Sequence, residues 1–209
     1  MPTRIKICGL TSAEAVRDAV EAGADAVGFV FAESPRRIEP VRAARLAWGL
    51  PSRVAAVAVF HRPSRDWVHE VVRLFVPAWL QVDADLLPQL RLPPGLRVLP
   101  VLRDQPGAES LLEAHRRRSG ERRPRVLFDS LRSGAGEPAD WGRAAEIARS
   151  ARLVLAGGLR PDNVARAIAH VRPYAVDVSS GVESSPGVKD PSRMRAFVRA
   201  VRSGEEAAR

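Results

Sequence analysis

Short apolar runs rich in β-branched residues alternate along the chain with longer stretches rich in alanine, arginine, glutamate and leucine. The apolar runs have the length of strands, and the stretches between them have the composition of helices. The pattern predicts strands at residues 4–8, 26–31, 53–60, 79–83, 98–102, 126–129, 153–156 and 175–179. It predicts helices at residues 12–22, 40–46, 64–74, 85–90, 108–118, 140–150, 161–170 and 192–201.

Several helix ends carry recognisable capping residues. Ser12 is of the type that caps a helix N-terminus, and Gly23 is of the type that follows a helix C-terminus. Pro40 and Pro161 suit the first turn of a helix, where the missing N–H costs nothing. These residues support the predicted boundaries.

The alternation of strands and helices predicts the architecture. Parallel strands need helical crossovers, so the pattern indicates a parallel α/β sheet. Eight such units favour a closed (β/α)8 TIM barrel, with an open doubly wound sheet as the alternative. The 209 residues lie at the short end of the range for such barrels. We expect one barrel domain over residues 1–209, with residues 204–209 as a frayed tail.

Charge and cysteine content narrow the function classes. The chain has 33 basic and 24 acidic residues, a formal net charge of +9, and Lys6 and Lys189 are its only lysines. This surplus indicates either anion binding or a bias of composition, because the arginines are scattered along the chain. The single cysteine excludes an internal disulfide and a cysteine-rich zinc site. Neither a signal peptide nor an apolar run near the ~18 residues of a membrane span is present, so we expect a cytoplasmic protein.

Chemically capable residues follow the predicted strands, where barrel enzymes place their active sites. Alternation along residues 4–8 directs Ile5 and Ile7 towards the helices and Lys6 and Cys8 into the barrel. A buried ammonium needs a partner, and Asp177 on the last strand is our candidate. A cation beside Cys8 would lower the pKa of its thiol. The alternative is that Cys8 is an inert small hydrophobe.

Asp129 ends the sixth predicted strand after an apolar run. A carboxyl group in that place suits general acid or base chemistry, and a loop-capping role is the alternative. To act as an acid near neutral pH, its pKa would have to rise from the ordinary value of ~3.9.

Glycine-containing turns follow the seventh and eighth predicted strands, at residues 156–159 and 179–183. Glycines let backbone N–H groups approach an anion, and these two loops form the usual phosphate site of a barrel. Ordinary tight turns are the alternative. The stretch Gly134-Ala135-Gly136 lacks the third glycine of a dinucleotide fingerprint, and the four histidines lack the spacing of metal ligands.

Taken in order, these motifs resemble the phosphoribosylanthranilate isomerase family of tryptophan biosynthesis. The stretches that carry the resemblance are Lys6-Ile7-Cys8-Gly9-Leu10-Thr11, Gly28-Phe29-Val30-Phe31, Ser34-Pro35-Arg36, Phe128-Asp129-Ser130, Leu155-Ala156-Gly157-Gly158-Leu159 with Asn163, Asp177-Val178-Ser179-Ser180-Gly181-Val182-Glu183 and Pro186-Gly187-Val188-Lys189-Asp190. They span nearly the whole chain, which makes the resemblance far more specific than any one motif.

The resemblance implies a TIM barrel without a metal or organic cofactor. It implies an Amadori rearrangement of N-(5'-phosphoribosyl)anthranilate, with Asp129 as general acid and Cys8 as general base. Arg36 would hold the anthranilate carboxylate, for which its planar fork is suited. The remaining implied substrate-binding residues are Lys6, Gln81, Gly157, Gly158, Ser179, Ser180 and Gly181.

The chain departs from the family pattern in two places. The family usually has a histidine where this chain has Asp83, within Gln81-Val82-Asp83-Ala84. A negative charge there could repel an anionic ligand or pair with Arg103. The loop after Asp129 reads Ser133-Gly134-Ala135-Gly136 in place of Gly-Gly-Thr-Gly, which could alter loop mobility.

Two other functions stay open at this point. One is the related isomerase of histidine biosynthesis, although that family resembles a two-fold repeat with an aspartate base on its first strand. The other is a non-catalytic barrel that binds phosphate or nucleic acid, although no nucleic-acid motif is present. We expect a small phosphorylated substrate, no nucleic-acid or membrane partner, and either a monomer or a homodimer.

Overall fold

A closed parallel barrel forms the centre of the protein in a computed structural model that describes residues 2–132 and 136–207. The strands run in sequence order around the barrel, and β1 pairs with β8 to close it. They are β1 (Arg4–Cys8), β2 (Ala26–Val30), β3 (Ala55–Val59), β4 (Trp79–Asp83), β5 (Val98–Arg103), β6 (Arg125–Asp129), β7 (Arg152–Leu155) and β8 (Ala175–Val178). Closure confirms the predicted (β/α)8 barrel, and the open-sheet alternative is wrong.

Helices connect the strands and cover the barrel. They are α1 (Ala13–Ala22), α2 (Pro40–Trp48), α3 (Arg65–Leu74), α4 (Leu87–Leu90), α5 (Ala108–Ser119), α6 (Trp141–Ser150), α7 (Val164–Val171) and α8 (Pro191–Ala207). As predicted, Ser12 caps α1 by accepting from the Ala15 N–H at 3.1 Å, and Gly23 ends it with a φ of 104°. Among the described residues, none of the helices combines the length and the apolar character that crossing a bilayer requires.

The core has two layers, as the alternation along the strands predicts. Ile5 and Ile7 of β1 are fully buried between the barrel and its helices. A smaller cluster fills the barrel interior and consists of Leu99, Val101, Leu127, Val154, Ala156 and Ala175. This apolar plug occupies the lower part of the barrel and leaves the polar inward-facing residues at the carboxyl ends of the strands.

One prediction at a helix end was wrong. Helix α7 begins at Val164 and not at Pro161, because the preceding turn is held by the side chain of Asn163. Its Oδ1 accepts from the Arg160 N–H at 2.8 Å, and its Nδ2 donates to the Gly158 carbonyl at 2.9 Å. Helix α8 runs to Ala207 and packs so closely on α7 that a Cβ on Gly204 would lie 2.8 Å from the Ala165 Cα. Fraying of residues 204–209 stays a prediction. Residues 208 and 209 of that tail lie outside the described residues.

The sequence pattern missed a small structure after β8. A 3-10 turn (Ser180–Val182) leads into a hairpin of β9 (Glu183–Ser185) and β10 (Val188–Lys189). These strands are too short to show an alternating pattern. The hairpin folds over the carboxyl end of the barrel and carries Glu183 and Lys189 to the site described next.

Candidate active site

A cleft of about 820 Å³ opens at the carboxyl ends of the strands. Its size suits a small-molecule ligand. It brings together most of the residues that the sequence analysis selected, namely Cys8, Arg36, Gln81, Asp129, Asp177, Ser179 and Ser180. A side cavity of about 50 Å³ extends from it between the turns after β7 and β8 and is lined by Gly157 and Gly158.

Lys6 and Cys8 point into the barrel, as alternation predicts. Lys6 Nζ lies 2.9 Å from Asp177 Oδ1, and the two side chains are only 5% and 9% exposed. The predicted pairing is therefore confirmed. It follows from the register of the barrel, in which Lys6 of β1 lies directly opposite Asp177 of β8. Gly28 of β2 makes room for the thiol, because a Cβ there would lie 2.7 Å from Cys8 Sγ.

Burial and the neighbouring charges act in opposite directions on these groups. Burial raises the pKa of the Cys8 thiol above its ordinary value, and the positive charges of Lys6 and Lys189 offset this only in part. Burial lowers the pKa of Lys6, but the negative charge of Asp177 and the hydrogen bond to it outweigh this effect, so the pKa lies above its ordinary value. Lys6 is thus a fixed cation beside a neutral thiol.

Arg36 lies in the cleft and is held by Glu183. Arg36 Nε and Nη2 donate to the two carboxylate oxygens of Glu183 at 2.7 and 2.8 Å. Lys189 Nζ donates to the same carboxylate at 2.6 Å and to the Ser179 carbonyl at 3.0 Å. Glu183 therefore binds the Nε and Nη2 edge of the guanidinium. The Nη1 group of Arg36 has no hydrogen-bond partner among the described residues. This Nη1 edge is the part of Arg36 that can receive a ligand carboxylate.

Asp129 ends β6 and faces Arg103 of β5. Arg103 Nη1 lies 3.0 Å from Asp129 Oδ2, and Arg103 Nη2 lies 2.7 Å from Asp83 Oδ1. Asp83 Oδ2 accepts from the Arg62 N–H at 3.0 Å and lies 3.3 Å from His61 Nδ1. Burial raises the pKa of Asp83, but the charge of Arg103 and the hydrogen bonds from Arg103 and the Arg62 N–H outweigh this effect. The pKa of Asp83 therefore lies below its ordinary value. Of the two effects considered for Asp83, the structure shows the pairing with Arg103.

Gln81 of β4 carries an unpaired acceptor into the cleft. The residue is 7% exposed, and its Oε1 has no hydrogen-bond partner among the described residues. A buried acceptor without a donor is costly, so it marks a place where a ligand donor would bind favourably.

The glycines in the turns after β7 and β8 are packed too tightly to be replaced by a larger residue. Gly157 and Gly158 have φ values of 84° and 60°, and a Cβ on Gly158 would lie 2.7 Å from the Glu137 carbonyl carbon. A Cβ on Gly181 would collide with the Leu159 carbonyl oxygen. Residues 133–135, which contain the unusual Ser133 and Ala135 of the preceding loop, lie outside the described residues. The described turns place Gly157, Gly158, Ser179 and Ser180 around the side cavity, and Asp129 and Asp177 also line it.

Sequence reasoning gave no role to Glu183 or Lys189, and it considered Arg103 only as a partner for Asp83. The sequence offered a signal for the importance of Lys189, because it is one of only two lysines in a chain otherwise rich in arginine. Arg103 had a weaker one, since it directly follows the predicted fifth strand. Glu183 stood in the motif at residues 177–183, but nothing in that motif indicated its contact with Arg36.

Comparison with known proteins gives a consistent result. The family model described as N-(5'phosphoribosyl)anthranilate (PRA) isomerase matches residues 5–200. The N-(5'-phosphoribosyl)anthranilate isomerase of Bordetella parapertussis is 43% identical over the full length of both chains. That of Trichlorobacter lovleyi is 45% identical over 94% of this chain and 96% of its own.

Solved structures agree in fold and in size. The phosphoribosyl anthranilate isomerase of Thermotoga maritima superposes with a TM-score of 0.81 at 33% identity, over 96% of this chain and 99% of its own. A phosphoribosyl anthranilate isomerase in complex with reduced 1-(o-carboxyphenylamino)-1-deoxyribulose 5-phosphate superposes with a TM-score of 0.78 at 34% identity, over the same shares. The T. maritima enzyme is described as dimeric, and monomers generated from it have also been solved.

Proposed function

Because this chain belongs to the N-(5'-phosphoribosyl)anthranilate isomerase family, we propose that it isomerises N-(5'-phosphoribosyl)anthranilate to 1-(2-carboxyphenylamino)-1-deoxyribulose 5-phosphate in tryptophan biosynthesis. The product resembles the reduced compound bound by one of the similar structures. The observation that carries the proposal is that one cleft holds Cys8, Asp129 and Arg36 beside a glycine-lined side cavity.

Asp129 is the proposed general acid. Its carboxyl proton passes to the ring oxygen of the ribose, the bond between that oxygen and C1 breaks, and a Schiff base forms. A carboxyl group at the end of β6, 8% exposed and lining the cleft, can reach a substrate without full exposure to water.

Cys8 is the proposed general base. Its thiolate takes the proton from C2 of the sugar, the electrons of that bond give an enol, and the enol tautomerises to the ketone. Because burial keeps the thiol neutral, Cys8 has to lose its proton before it can act, and the nearby ammonium of Lys6 favours that loss. We therefore expect kcat/KM to rise with pH as the thiol ionises.

The substrate's two anionic ends fit two different parts of the cleft. The proposed phosphate site is the side cavity, which is lined by Gly157, Gly158, Ser179 and Ser180. Gly181 belongs to the same turn as the two serines, and the backbone N–H groups of these turns are the proposed donors to the phosphate. The proposed carboxylate ligand is the Nη1 edge of Arg36. Gln81 is a further proposed ligand, and its unpaired Oε1 would accept a hydrogen bond from the substrate.

A fluorescence assay that follows consumption of N-(5'-phosphoribosyl)anthranilate by the purified protein tests this proposal. We expect Asp129→Asn, Cys8→Ala and Cys8→Ser each to lower kcat by about 10² to 10⁴-fold, since each removes one proton-transfer group. Cys8→Ser keeps the size of the side chain, so it separates the loss of basicity from a packing defect.

The matched control is Asp66→Asn on α3, whose side chain is 85% exposed and does not line the cleft. It should retain full activity, and circular dichroism should show that every variant is folded. Near-normal turnover by Cys8→Ala would disprove the assignment of the base. Turnover of the histidine-pathway substrate alone would disprove the proposed activity.

A further inference from the structure

Three neighbouring strands bring a chain of alternating charges to the edge of the cleft. Asp83 ends β4, Arg103 ends β5 and Asp129 ends β6. The register places Arg103 directly opposite Asp129. The three side chains are only 5%, 11% and 12% exposed. At this depth, a charge needs a partner, and each of these groups has one.

Arg103 is fixed from the side that faces away from Asp129. Its Nε and Nη2 both contact Asp83 Oδ1, at 2.8 and 2.7 Å. Asp83 is in turn fixed by the Arg62 backbone N–H. The guanidinium is planar and rigid, so holding one edge on Asp83 determines where Nη1 points, which is at Asp129 Oδ2, 3.0 Å away. Asp83 is thus linked to Asp129 through Arg103.

We propose that Arg103 is a positioning residue for Asp129, and that Asp83 orients Arg103 for this task. The inference rests on the proposed function, in which Asp129 delivers a proton to the sugar ring oxygen. A guanidinium on Oδ2 restricts rotation of the carboxyl group, so that the proton is delivered in one direction. It also compensates the negative charge that Asp129 acquires once its proton has left.

The test is the pH dependence of kcat/KM for Asp83→Asn, Arg103→Met and Arg103→Lys, measured with N-(5'-phosphoribosyl)anthranilate. The pH profile of Asp129→Asn, measured on its residual activity, identifies the limb that belongs to Asp129. This limb is present in the wild-type profile and absent from that of Asp129→Asn. In Arg103→Met this limb should move to higher pH by about one unit, because a cation beside the carboxyl group has been lost. In Asp83→Asn it should move to lower pH, because the charge of Arg103 is then less opposed. We expect kcat of both variants to fall about tenfold or more, because a misplaced catalytic group transfers its proton less efficiently.

Arg103→Lys separates charge from geometry. It keeps the positive charge, so its limb should stay near that of the wild type. It cannot contact Asp83 and Asp129 with a rigid fork, so its kcat should fall towards that of Arg103→Met. The other titratable or charged groups that line the cleft stay the same in all three variants, namely Cys8, Glu33, Arg36, His61, Arg132, Asp177 and Glu183.

A second arginine–aspartate pair serves as the control. Arg143 Nη1 lies 2.7 Å from Asp104 Oδ1. Asp104 directly follows Arg103 in the sequence, but neither Arg143 nor Asp104 lines the cleft. Arg143→Met should lower the unfolding midpoint and leave the pH profile in place. Unshifted limbs in both Arg103→Met and Asp83→Asn, or shifts in the same direction, would overturn the inference. If Arg103→Met does not fold, the comparison of Asp83→Asn with Arg103→Lys decides. A wild-type protein without turnover would instead refute the proposed function.

Discussion

The ion pair between Lys6 and Asp177 lets us predict how much stability rests on charge inside the barrel. Lys6→Met keeps most of the side-chain length and removes the ammonium. The carboxylate of Asp177 then stays behind in a place where it is 9% exposed. A buried charge without a partner is strongly unfavourable, because the energy of its lost hydration is no longer offset.

The magnitude follows from the distance and the burial. Two unit charges 2.9 Å apart attract each other by about 6 kcal/mol at an effective dielectric constant of about 20. Desolvation of both groups cancels part of this gain. We therefore expect Lys6→Met and Asp177→Asn each to lower the free energy of unfolding by about 3–5 kcal/mol. The double variant removes both charges and should cost less than the sum of the two single variants by about 2–4 kcal/mol.

Urea denaturation of the wild type, the two single variants and the double variant measures this coupling. The ultraviolet absorbance of the thiolate, taken as a difference from Cys8→Ala, adds an independent reading, because Cys8 is the only cysteine. In Lys6→Met the pKa of Cys8 should rise further, since the cation that lowers it has gone. Single variants that cost less than about 1 kcal/mol, or costs that simply add, would refute this account of the pair.

Three further predictions concern the rest of the cleft. Burial raises the pKa of Glu183, but its two cationic partners outweigh this and hold it below the ordinary 4.5. The stability from Glu183 is therefore complete above that value and is lost as the pH falls through the lower folded-state pKa. Glu183→Gln should cost about 3 kcal/mol in urea at pH 7 and progressively less below pH ~4.5, and a cost independent of pH would contradict this. Gly158→Ala places a Cβ 2.7 Å from the Glu137 carbonyl carbon, so we expect KM to rise about tenfold or more. The control Gly49→Ala should leave KM nearly unchanged, because among the described residues no atom beyond its chain neighbours lies within 4 Å of the added Cβ. Gln81→Leu removes an unpaired buried acceptor, so it should raise the free energy of unfolding by about 1 kcal/mol. It should also raise KM, because the proposed ligand contact is lost. A lower free energy of unfolding in urea would contradict this prediction.

The fold could be predicted because its signal is local. Strand boundaries agree with the apolar runs to within one or two residues, since each run is buried between the barrel interior and the helices. The pairing of Lys6 with Asp177 was also predictable. Alternation placed Lys6 inside the barrel, a buried ammonium needs a carboxylate, and the last strand of a closed barrel is the neighbour of the first.

The remaining ion pairs depend on features that no local pattern reveals. Glu183 meets Arg36 across 147 positions of sequence only because a short hairpin folds over the barrel mouth. For Asp83 the sequence left two outcomes open, repulsion of a ligand or pairing with Arg103. The register of β4, β5 and β6 decided between them, and register is fixed by closure of the whole barrel.

The charges of the cleft give a different picture from the charge of the whole chain. Four largely buried cationic groups there are each in contact with a carboxylate: Lys6 with Asp177, Arg36 and Lys189 with Glu183, and Arg103 with Asp83 and Asp129. With Asp129 ionised, these cations and carboxylates are equal in number. The net charge of +9 therefore belongs to the outer surface, where scattered arginines fit a bias of composition. Affinity for the anionic ends of the proposed substrate must then come from oriented donors, namely the backbone N–H groups of the glycine turns and the Nη1 edge of Arg36.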